Sequence, residues 1–313
     1  MINMVLIRRL YLVIRNMTEL GKLGIKEKNI IIDAPMGEYT SFKVGGTASV
    51  LVTVDNKEQL KALLRYINSN EMKYILIGNG SNLLFTDKGY EGIVIKLGDG
   101  FKELRLSNDT ITAGASLLLS QISNFAMEND LSGIEFASGI PGTLGGGLFM
   151  NAGAYGGELK DVIITVNAIS SDGKNEMVFS NGDMEFEYRN SLMQRKDMVV
   201  TSAVIKLNKG TKEEIKKKIL GFTEKRNSKQ PVKYPSAGST FKRPIGGYAA
   251  QLIDEAGLKG LTVGGAVVSQ KHAGFIINDG DATATDIIEL IRLVQNYVYD
   301  DSGIMLDPEV RII

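Results

Sequence analysis

The stretch Gly139-Ile-Pro-Gly-Thr-Leu-Gly-Gly-Gly147 decides how this chain is interpreted, and it continues as Asn151-Ala-Gly-Ala-Tyr-Gly-Gly157. Eight of the nineteen residues from Gly139 to Gly157 are glycine. Glycine allows positive φ and a close approach of the backbone to another group, at an entropic cost. A phosphate that lies against bare peptide N–H groups is the best physical reason for so many glycines. The stretch therefore predicts an anion-binding loop.

A second glycine loop, Gly78-Asn-Gly-Ser-Asn82, directly follows a run that is typical of a buried strand. α/β proteins expose peptide N–H groups to phosphates at such points. The loop lacks the third glycine of the dinucleotide fingerprint, because position 83 is leucine. The P-loop motif also fails, since no Gly-Lys-Ser/Thr follows Gly142. Two such loops without either motif predict an extended pyrophosphate held between two sub-domains.

The composition excludes several classes of protein. With 36 basic and 36 acidic residues the net charge is zero, so we expect neither nucleic acid nor a membrane as a partner. The chain has no cysteine and one histidine, His272. These counts exclude disulfides, cysteine nucleophiles, thiolate metal ligands and multi-histidine metal sites. Absence of cysteine is also typical of a reducing cytoplasm, where we expect the protein to work.

The first residues are the one place where a targeting segment could be suspected. Their apolar runs are broken by Arg8, Arg9 and Arg15, so neither run is long enough to span a bilayer. A signal peptide would carry its positive charges before the apolar run and a small-residue cleavage site after it, and neither is present. We interpret residues 1–17 as an appended segment or an upstream start, with Met17 as a plausible true beginning and an interfacial amphipathic anchor as the alternative. Residues 1–29 together are predicted to be an N-terminal extension.

Hydrophobic periodicity and turn residues predict an α+β chain without internal repeats. Asp55, with Glu58 three residues on, predicts an N-cap and a helix that extends to about Tyr66. Asp172-Gly173 predicts a hairpin turn, and Thr211-Lys-Glu-Glu214 predicts the capped start of a helix that reaches about Arg226. The predicted strands are Ser49–Val54, Lys73–Ile77, Ile93–Leu97, Thr110–Ala113, Val162–Ser170, Asn175–Phe179, Met198–Leu207, Leu261–Val263, Phe275–Asn278 and Val310–Ile313, and the other predicted helices are Leu117–Asn129, Tyr248–Ala256 and Asp286–Tyr299.

Further motifs point to a known family. They are Ser41-Phe-Lys-Val-Gly-Gly46, Glu187-Tyr-Arg-Asn-Ser191, Ala237-Gly-Ser-Thr-Phe-Lys-Arg-Pro244 and Asp307-Pro-Glu-Val310. With the two glycine segments, they closely resemble the UDP-N-acetylenolpyruvoylglucosamine reductases, FAD enzymes of peptidoglycan precursor synthesis. The resemblance covers roughly residues 30–313. Little room exists between Met198 and Thr211 for the tyrosine-bearing loop of one subtype, so the chain resembles the subtype that lacks it.

The resemblance implies an α+β architecture with an FAD-binding fold of the vanillyl-alcohol-oxidase type. Two α+β sub-domains would bind the cofactor, and a C-terminal α+β domain would bind substrate. We predict the first sub-domain at residues 30–77, the second at 78–210 and the substrate domain at 211–313.

The same resemblance implies the reaction. NADPH, the co-substrate, would reduce non-covalently bound FAD, and a hydride would pass from flavin N5 to C3 of the enolpyruvyl group of a UDP-sugar. Proton addition at C2 would give UDP-N-acetylmuramate. Charge develops at C2 and on the adjacent carboxylate, which calls for a fixed cation, and Arg189 matches that position. Ser239 matches the proton donor and Glu309 the third catalytic position.

The implied binding residues fall into two groups. Tyr188, Lys242 and Arg243 would contact the substrate, the last two through its diphosphate. The residues that would hold FAD are Gly78, Asn79, Gly80, Ser81, Asn82, Gly139, Ile140, Pro141, Gly142, Thr143, Gly145, Gly146, Asn151, Ala152 and Gly153.

Two other classes of protein stay open from the sequence. One is an FAD oxidase of the same flavin fold, although its covalent form loses support because the chain has no cysteine and its histidine is near the C-terminus. The other is a non-catalytic FAD-binding protein, which would not need Arg189, Ser239 and Glu309 together. His272 either supports the substrate domain or contacts the nicotinamide–flavin region. We expect a monomer.

Overall fold

The protein was analysed as a computed structural model, which describes residues 18–313. The predicted appended segment, residues 1–17, lies outside the described part. The described chain forms two compact units. Unit 1 comprises residues 18–34, 48–78 and 91–212, and unit 2 comprises residues 35–47, 79–90 and 213–313. The predicted assignment of segments to cofactor and substrate stays a prediction.

Unit 1 contains a four-stranded sheet covered by a helix, α1 (Lys57–Ser69). The strand order is β1-β2-β5-β3, and β3 and β5 run parallel. The buried side chains of α1 are Leu60, Leu63, Leu64 and Ile67, a spacing that lines one face of a helix. They share a core with valines of β2. The strands of this sheet are β1 (Ile30–Pro35), β2 (Thr47–Val54), β3 (Tyr74–Ile77) and β5 (Tyr90–Leu97).

The N-cap of α1 is Asn56, so the predicted cap at Asp55 is wrong by one residue. The Asn56 side chain accepts a hydrogen bond from the N–H of Gln59 at 2.9 Å. The Asp55 carboxylate instead accepts a hydrogen bond from the Asn29 side chain at 2.7 Å. Both residues are good caps, and this competing partner of Asp55 lies far away in the sequence.

A five-stranded antiparallel sheet forms the second core of unit 1, in the order β12-β11-β13-β7-β6. The predicted hairpin at Asp172-Gly173 is confirmed, because Gly173 has a φ of +68° and donates to the carbonyl of Ser170 at 2.8 Å. The strands are β6 (Leu104–Ser107), β7 (Thr110–Gly114), β11 (Ile163–Ser170), β12 (Glu176–Ser180) and β13 (Met198–Lys206). Smaller elements are α2 (Leu119–Glu128), β8 (Leu131–Ser132), β9 (Gly153–Ala154), β10 (Gly157–Glu158) and β14 (Asn208–Lys209).

The glycine-rich stretch contains a helix that the sequence did not predict. Residues 138–143 are a loop, but Leu144–Met150 form α3, with Thr143 as its N-cap. Its three successive glycines disfavour a helix by about 1 kcal/mol each relative to alanine. The helix packs with its buried Leu144 and Leu148 in the same core as the second sheet. Tertiary packing therefore overrides the local preference.

Unit 2 is built around one long helix, α6 (Ala284–Ser302), which begins two residues before the predicted start. Thr283 caps it, and its buried side chains recur at positions 287, 290, 291, 294 and 298. The other elements are β4 (Leu83–Leu84), α4 (Lys212–Lys229), α5 (Ala249–Glu255), β15 (Thr262–Val263), β16 (Ala266–Val268), β17 (Ile276–Asn278) and β18 (Arg311–Ile312). β15, β16 and β17 form an antiparallel sheet, and β18 pairs with β4 in parallel. The predicted helices and strands of this region are confirmed, whereas β4 and β16 were not predicted. In unit 1 the unpredicted strands are β1, β6, β8, β9, β10 and β14.

Candidate functional site

The peptide N–H groups at the start of α3 are already bonded within unit 1. Leu144 N donates to the carbonyl of Leu117 at 2.8 Å, and Gly145 N donates to that of Ala115 at 2.9 Å. Gly146 N donates to the hydroxyl of Thr143 at 3.3 Å. The expectation of bare N–H groups is therefore wrong for residues 144–146. Gly145 serves packing instead, because a Cβ there would lie 3.2 Å from the Cβ of Ala115.

The loop just before α3 does offer unused donors. Among the described residues, no acceptor is found for the N–H groups of Gly139, Gly142 and Thr143. The hydroxyl of Ser138 is buried and likewise has no partner in residues 18–313. A Cβ at Gly146 would meet nothing closer than the Thr143 hydroxyl at 3.5 Å, so packing does not demand this glycine. Free donors beside a bare backbone surface fit an anionic ligand.

Gly78 and Thr143 lie against each other in unit 1. A Cβ at Gly78 would come 2.4 Å from the Thr143 hydroxyl, so only glycine fits there. Gly78 follows β3, and Thr143 caps α3. Two predicted cofactor residues that are far apart in the sequence are thus brought together.

The rest of the second glycine loop, residues 79–82, belongs to unit 2. Gly80 has a φ of +64°, and a Cβ there would come 1.9 Å from the carbonyl oxygen of Tyr39. Within residues 18–313 no acceptor is found for the N–H groups of Gly80, Ser81 and Asn82. Successive N–H groups of this kind form an anion-binding concavity.

The segment that carries Ser239 pairs with the one that carries Glu309. Glu309 N donates to the carbonyl of Thr240 at 2.8 Å, and Lys242 N donates to that of Asp307 at 2.8 Å. The fully buried Thr240 hydroxyl accepts a hydrogen bond from Ile276 N at 3.0 Å and so anchors the segment. Ser239 is exposed and Glu309 half-buried. Unit 2 therefore brings two of the three predicted catalytic residues to adjoining backbone positions.

Asn82 links this pair of segments to the glycine loop. Its side-chain amide donates to the carbonyl of Glu309 at 2.9 Å, and its own carbonyl accepts from Arg311 N at 3.1 Å. In unit 2 the predicted cofactor loop and the Glu309 segment are thus neighbours.

The two predicted diphosphate contacts have partners in the protein. Lys242 Nζ lies 2.6 Å from a carboxylate oxygen of Asp307. The Arg243 guanidinium carbon lies 4.6 Å from the centre of the Tyr248 ring. Both cations are on the surface of unit 2, so a phosphate would have to compete with the carboxylate of Asp307 for Lys242.

Arg189 occupies a tight turn, Glu187–Asn190, which we call the arginine turn. Two backbone hydrogen bonds between Glu187 and Asn190, of 3.0 and 3.2 Å, close it. Arg189 has a φ of +55°, a conformation that is uncommon outside glycine. Its guanidinium carbon lies 5.0 Å from the centre of the Tyr188 ring, which keeps the cation beside an exposed aromatic face.

Asn151 is fully buried and serves the protein's own framework. Its side-chain amide donates to Glu158 at 2.8 Å and to the carbonyl of Glu187 at 3.0 Å, and its side-chain oxygen accepts from Lys160 N at 3.0 Å. Burial raises the pKa of Glu158, but hydrogen bonds from Lys160 and Asn151, with a smaller contribution from the charge of Arg189, hold it below the usual value. Glu158 is therefore an anion that helps fix the arginine turn.

The remaining predicted cofactor residues frame the same part of unit 1. Ile140 N donates to the carbonyl of Ala137, and Ala152 N to that of Gly147. Gly153 pairs with Glu158 in the short hairpin of β9 and β10. Pro141 lies exposed in the loop before α3.

His272 supports its own loop in unit 2. Its Nδ1 accepts a hydrogen bond from Gly274 N at 3.2 Å, and its ring meets Phe275 edge-on with centroids 4.9 Å apart. Burial lowers the pKa of His272 below its usual value, so the ring is neutral at physiological pH. These contacts favour the structural role over a catalytic one.

Two features are absent from residues 18–313. Every helix described there is too short or too polar to cross a membrane. No group of three acidic, histidine or cysteine side chains in the same residues could hold a metal ion.

Comparison with known proteins identifies the family. Residues 230–313 match the C-terminal domain of UDP-N-acetylenolpyruvoylglucosamine reductase, and residues 48–177 match an FAD binding domain. Proteins named UDP-N-acetylenolpyruvoylglucosamine reductase from Caldanaerobacter subterraneus subsp. tengcongensis and Clostridioides difficile are 46% and 45% identical over 289 residues, which span 92% of this chain and 95% of each relative. The chain belongs to the UDP-N-acetylenolpyruvoylglucosamine reductase family.

A solved structure supports this membership of the reductase family. The crystal structure of UDP-N-acetylenolpyruvylglucosamine reductase from Thermus caldophilus is 37% identical, with a TM-score of 0.78 over 90% of this chain and 97% of that one. The predicted family, FAD as cofactor and the α+β fold with an FAD-binding region of the vanillyl-alcohol-oxidase type are confirmed. An FAD oxidase and a non-catalytic flavin protein both lose their support.

Two residues that support the arginine turn were not predicted from the sequence. Gln194 bonds the carbonyl of Arg189, and Glu158 bonds Asn151. Glu158 directly follows the glycine-rich stretch, and an acidic residue at that point could have indicated a contact with this stretch. Gln194 offers no local signal, because its partner Phe149 lies 45 positions away.

Proposed function

We propose that this chain reduces UDP-N-acetylglucosamine enolpyruvate to UDP-N-acetylmuramate at the expense of NADPH, in peptidoglycan precursor synthesis. Membership of the reductase family, over nearly the whole length of the relatives, supports the reaction class. Bound FAD would supply the hydride chemistry, by which a hydride from NADPH reaches C3 of the enolpyruvyl group. We further propose that the enzyme works as a monomer in the cytoplasm.

We assign the control of developing negative charge to Arg189. Reduction at C3 moves negative charge to C2 and the adjacent carboxylate, where a fixed cation lowers the barrier most effectively. A guanidinium stays charged and grips a carboxylate through two N–H groups. The conformation of the arginine turn supports this role, because strained backbone persists where the surrounding structure holds it, often at functional sites.

We assign the proton at C2 to Ser239, with Glu309 as the group that assists it. A proton donor must come within hydrogen-bond reach of the atom that it serves. The single observation that carries this proposal is the backbone pairing of residues 240–242 with 307–309 in unit 2. It holds the exposed Ser239 and half-buried Glu309 on adjoining segments.

The binding roles are proposed from the donors described above. In unit 1, Gly78, Gly139, Gly142 and Thr143 would lie against the FAD pyrophosphate, with Ile140, Pro141, Gly145, Gly146, Asn151, Ala152 and Gly153 framing it. In unit 2, Gly80, Ser81 and Asn82 would offer further N–H groups to the cofactor, and Asn79 would belong to the same binding loop. Tyr188, Lys242 and Arg243 would contact the substrate.

The purified protein offers a direct test. We expect a yellow protein that releases FAD on mild heating and oxidises NADPH only when UDP-N-acetylglucosamine enolpyruvate is added. UDP-N-acetylglucosamine, which lacks the enolpyruvyl group, is the matched control and should leave NADPH unconsumed. A colourless protein, or NADPH consumption that ignores the enolpyruvyl group, would contradict the proposal.

A further inference from the structure

The arginine turn needs external support. A non-glycine residue at a φ of +55° is strained, so contacts outside the four-residue turn must hold Arg189 in place. The backbone bonds between Glu187 and Asn190 close the turn but do not fix it to the rest of unit 1. The side chain of Arg189 projects from this backbone, and its direction depends on the orientation of the neighbouring peptide groups.

The side-chain amide of Gln194 supplies such a contact. Its Nε2 donates to the carbonyl of Arg189 at 2.8 Å and to the carbonyl of Phe149 at 2.9 Å. A primary amide has two N–H groups, so both are used. Phe149 lies in the last turn of α3. Gln194 therefore ties the peptide that follows Arg189 to the end of a packed helix.

The end of α3 is a firm base for this link. Asn151, fully buried, donates to the carbonyl of Glu187 at 3.0 Å. The hydroxyl of the fully buried Ser191 donates to the carbonyl of Phe149 at 3.0 Å. Asn151 contacts the arginine turn at Glu187, and Ser191 follows the turn in the sequence, but the hydrogen bond to the carbonyl of Arg189 comes from neither residue. That contact belongs to Gln194.

We propose that Gln194 is a positioning residue, which fixes the backbone at Arg189 so that the guanidinium meets the carboxylate of the substrate and product. The inference deepens the proposed function and rests on the role assigned there to Arg189. An amide is needed because it offers two donors to two carbonyl oxygens, whereas a side chain without donors would lose both of these bonds.

Three variants separate positioning from stability. Gln194→Met keeps the length of the side chain and removes both donors. Gln59→Met is the matched control. Gln59 Nε2 donates to the carbonyl of Gly24 at 2.7 Å, so this variant loses an amide-to-carbonyl hydrogen bond at another place in unit 1. Arg189→Ala reports the full effect of losing the guanidinium.

The readout is ligand affinity of the FAD-loaded protein, measured by titration calorimetry. UDP-N-acetylmuramate carries the carboxylate that Arg189 would grip, and UDP-N-acetylglucosamine lacks it. We expect the wild type to prefer UDP-N-acetylmuramate and Arg189→Ala to lose that preference. Gln194→Met should reduce the preference about tenfold, since misplacing a group by about 1 Å costs up to about 100-fold. Its affinity for UDP-N-acetylglucosamine, and both affinities of Gln59→Met, should stay at wild-type values.

Each other outcome is decisive. If Arg189→Ala keeps the preference, the proposed role of Arg189 is wrong. If Arg189→Ala loses the preference and Gln194→Met keeps it, only the positioning role is wrong. Equal weakening of both ligands by Gln194→Met, or a lost preference in Gln59→Met, would mean a general effect on folding and would also overturn the inference.

Discussion

Two of the predicted catalytic residues lie beside unusual backbone conformations. Arg189 itself has a φ of +55°, and Gly238, immediately before Ser239, has a φ of +77°. A Cβ at position 238 would meet no atom within 4 Å, so glycine is favoured there by its positive φ and not by a lack of space. Left-handed backbone therefore occurs at the predicted cation and directly before the predicted proton donor.

Replacing Ser239 tests the proton-transfer step at the scale of one residue. In Ser239→Ala we expect NADPH to reduce the flavin at close to the wild-type rate, while reoxidation by UDP-N-acetylglucosamine enolpyruvate slows by about 10²–10⁴-fold, the usual contribution of a proton donor. Stopped-flow absorbance of the flavin follows both half-reactions. Ser228→Ala, in α4, is the control and should change neither. Normal reoxidation in Ser239→Ala would remove the serine from the mechanism.

At the scale of elements, the sequence predicted what depends on neighbours in the chain. Capping patterns predicted α1 and α4, hydrophobic periodicity predicted α2, α5 and α6, and Asp172-Gly173 predicted the β11–β12 hairpin. The α3 helix escaped prediction, because its three glycines argue against a helix and its first N–H groups find acceptors at residues 115 and 117. The N-cap at Asn56 was also not predicted, because Asp55 has a distant partner, Asn29. Only such distant contacts could have decided these cases.

The residues of the candidate site also differ in whether a local pattern predicts them. Motif resemblance predicted Arg189, Ser239 and Glu309, because each sits in a short recognisable run. Gln194 and the internal role of Asn151 depend on contacts with Phe149 and Glu187, which no local pattern encodes.

An ion-pair cluster between two elements predicts a pH effect. Glu176 on β12 accepts hydrogen bonds from Lys57 and Lys61 of α1, and these lower its pKa to about 2. The folded-state pKa lies below the unfolded value, so the unfolded chain binds the extra proton first. The stabilisation is present above the unfolded value of 4.5 and is lost as pH falls toward about 2.

We expect Glu176→Gln to lower the free energy of unfolding by less than about 1 kcal/mol at neutral pH, because the Glu176 and Lys57 side chains are close to half-exposed. Urea unfolding at several pH values measures this free energy. The difference in unfolding free energy between variant and wild type should become smaller on acidification and in high salt. A Lys57→Met and Glu176→Gln double-mutant cycle isolates the pair. A difference in unfolding free energy that does not depend on pH would show that the ion pairs do not cause it.

At the scale of the whole molecule, each unit has its own hydrophobic core. Unit 1 has two clusters, one beneath each sheet, and unit 2 has one around α6. The N–H donors proposed for the cofactor lie in loops between packed elements, not in these cores. Occupation of those loops should therefore add to stability without changing the packing beneath them.

Removing FAD should lower the melting temperature. A ligand that binds only the folded state stabilises it by about 2.7 kcal/mol at 100 times its dissociation constant. We expect differential scanning fluorimetry to show a lower transition for the apoprotein, which rises again with added FAD. Riboflavin, which has the ring but no pyrophosphate, should stabilise much less. Equal effects of the two flavins would contradict the role of the glycine loops.

The pairing of Asn82 with the Glu309 segment also bears on how the protein is made. The two residues are 227 positions apart, and β4 gains its partner strand only from Arg311–Ile312. At ribosomal speeds of about 5–20 residues per second, the early loop waits on the order of tens of seconds for its partner. During that interval Leu83 and Leu84 lack the strand that pairs with them. Folding of unit 2 therefore cannot be completed until β18 has been synthesised.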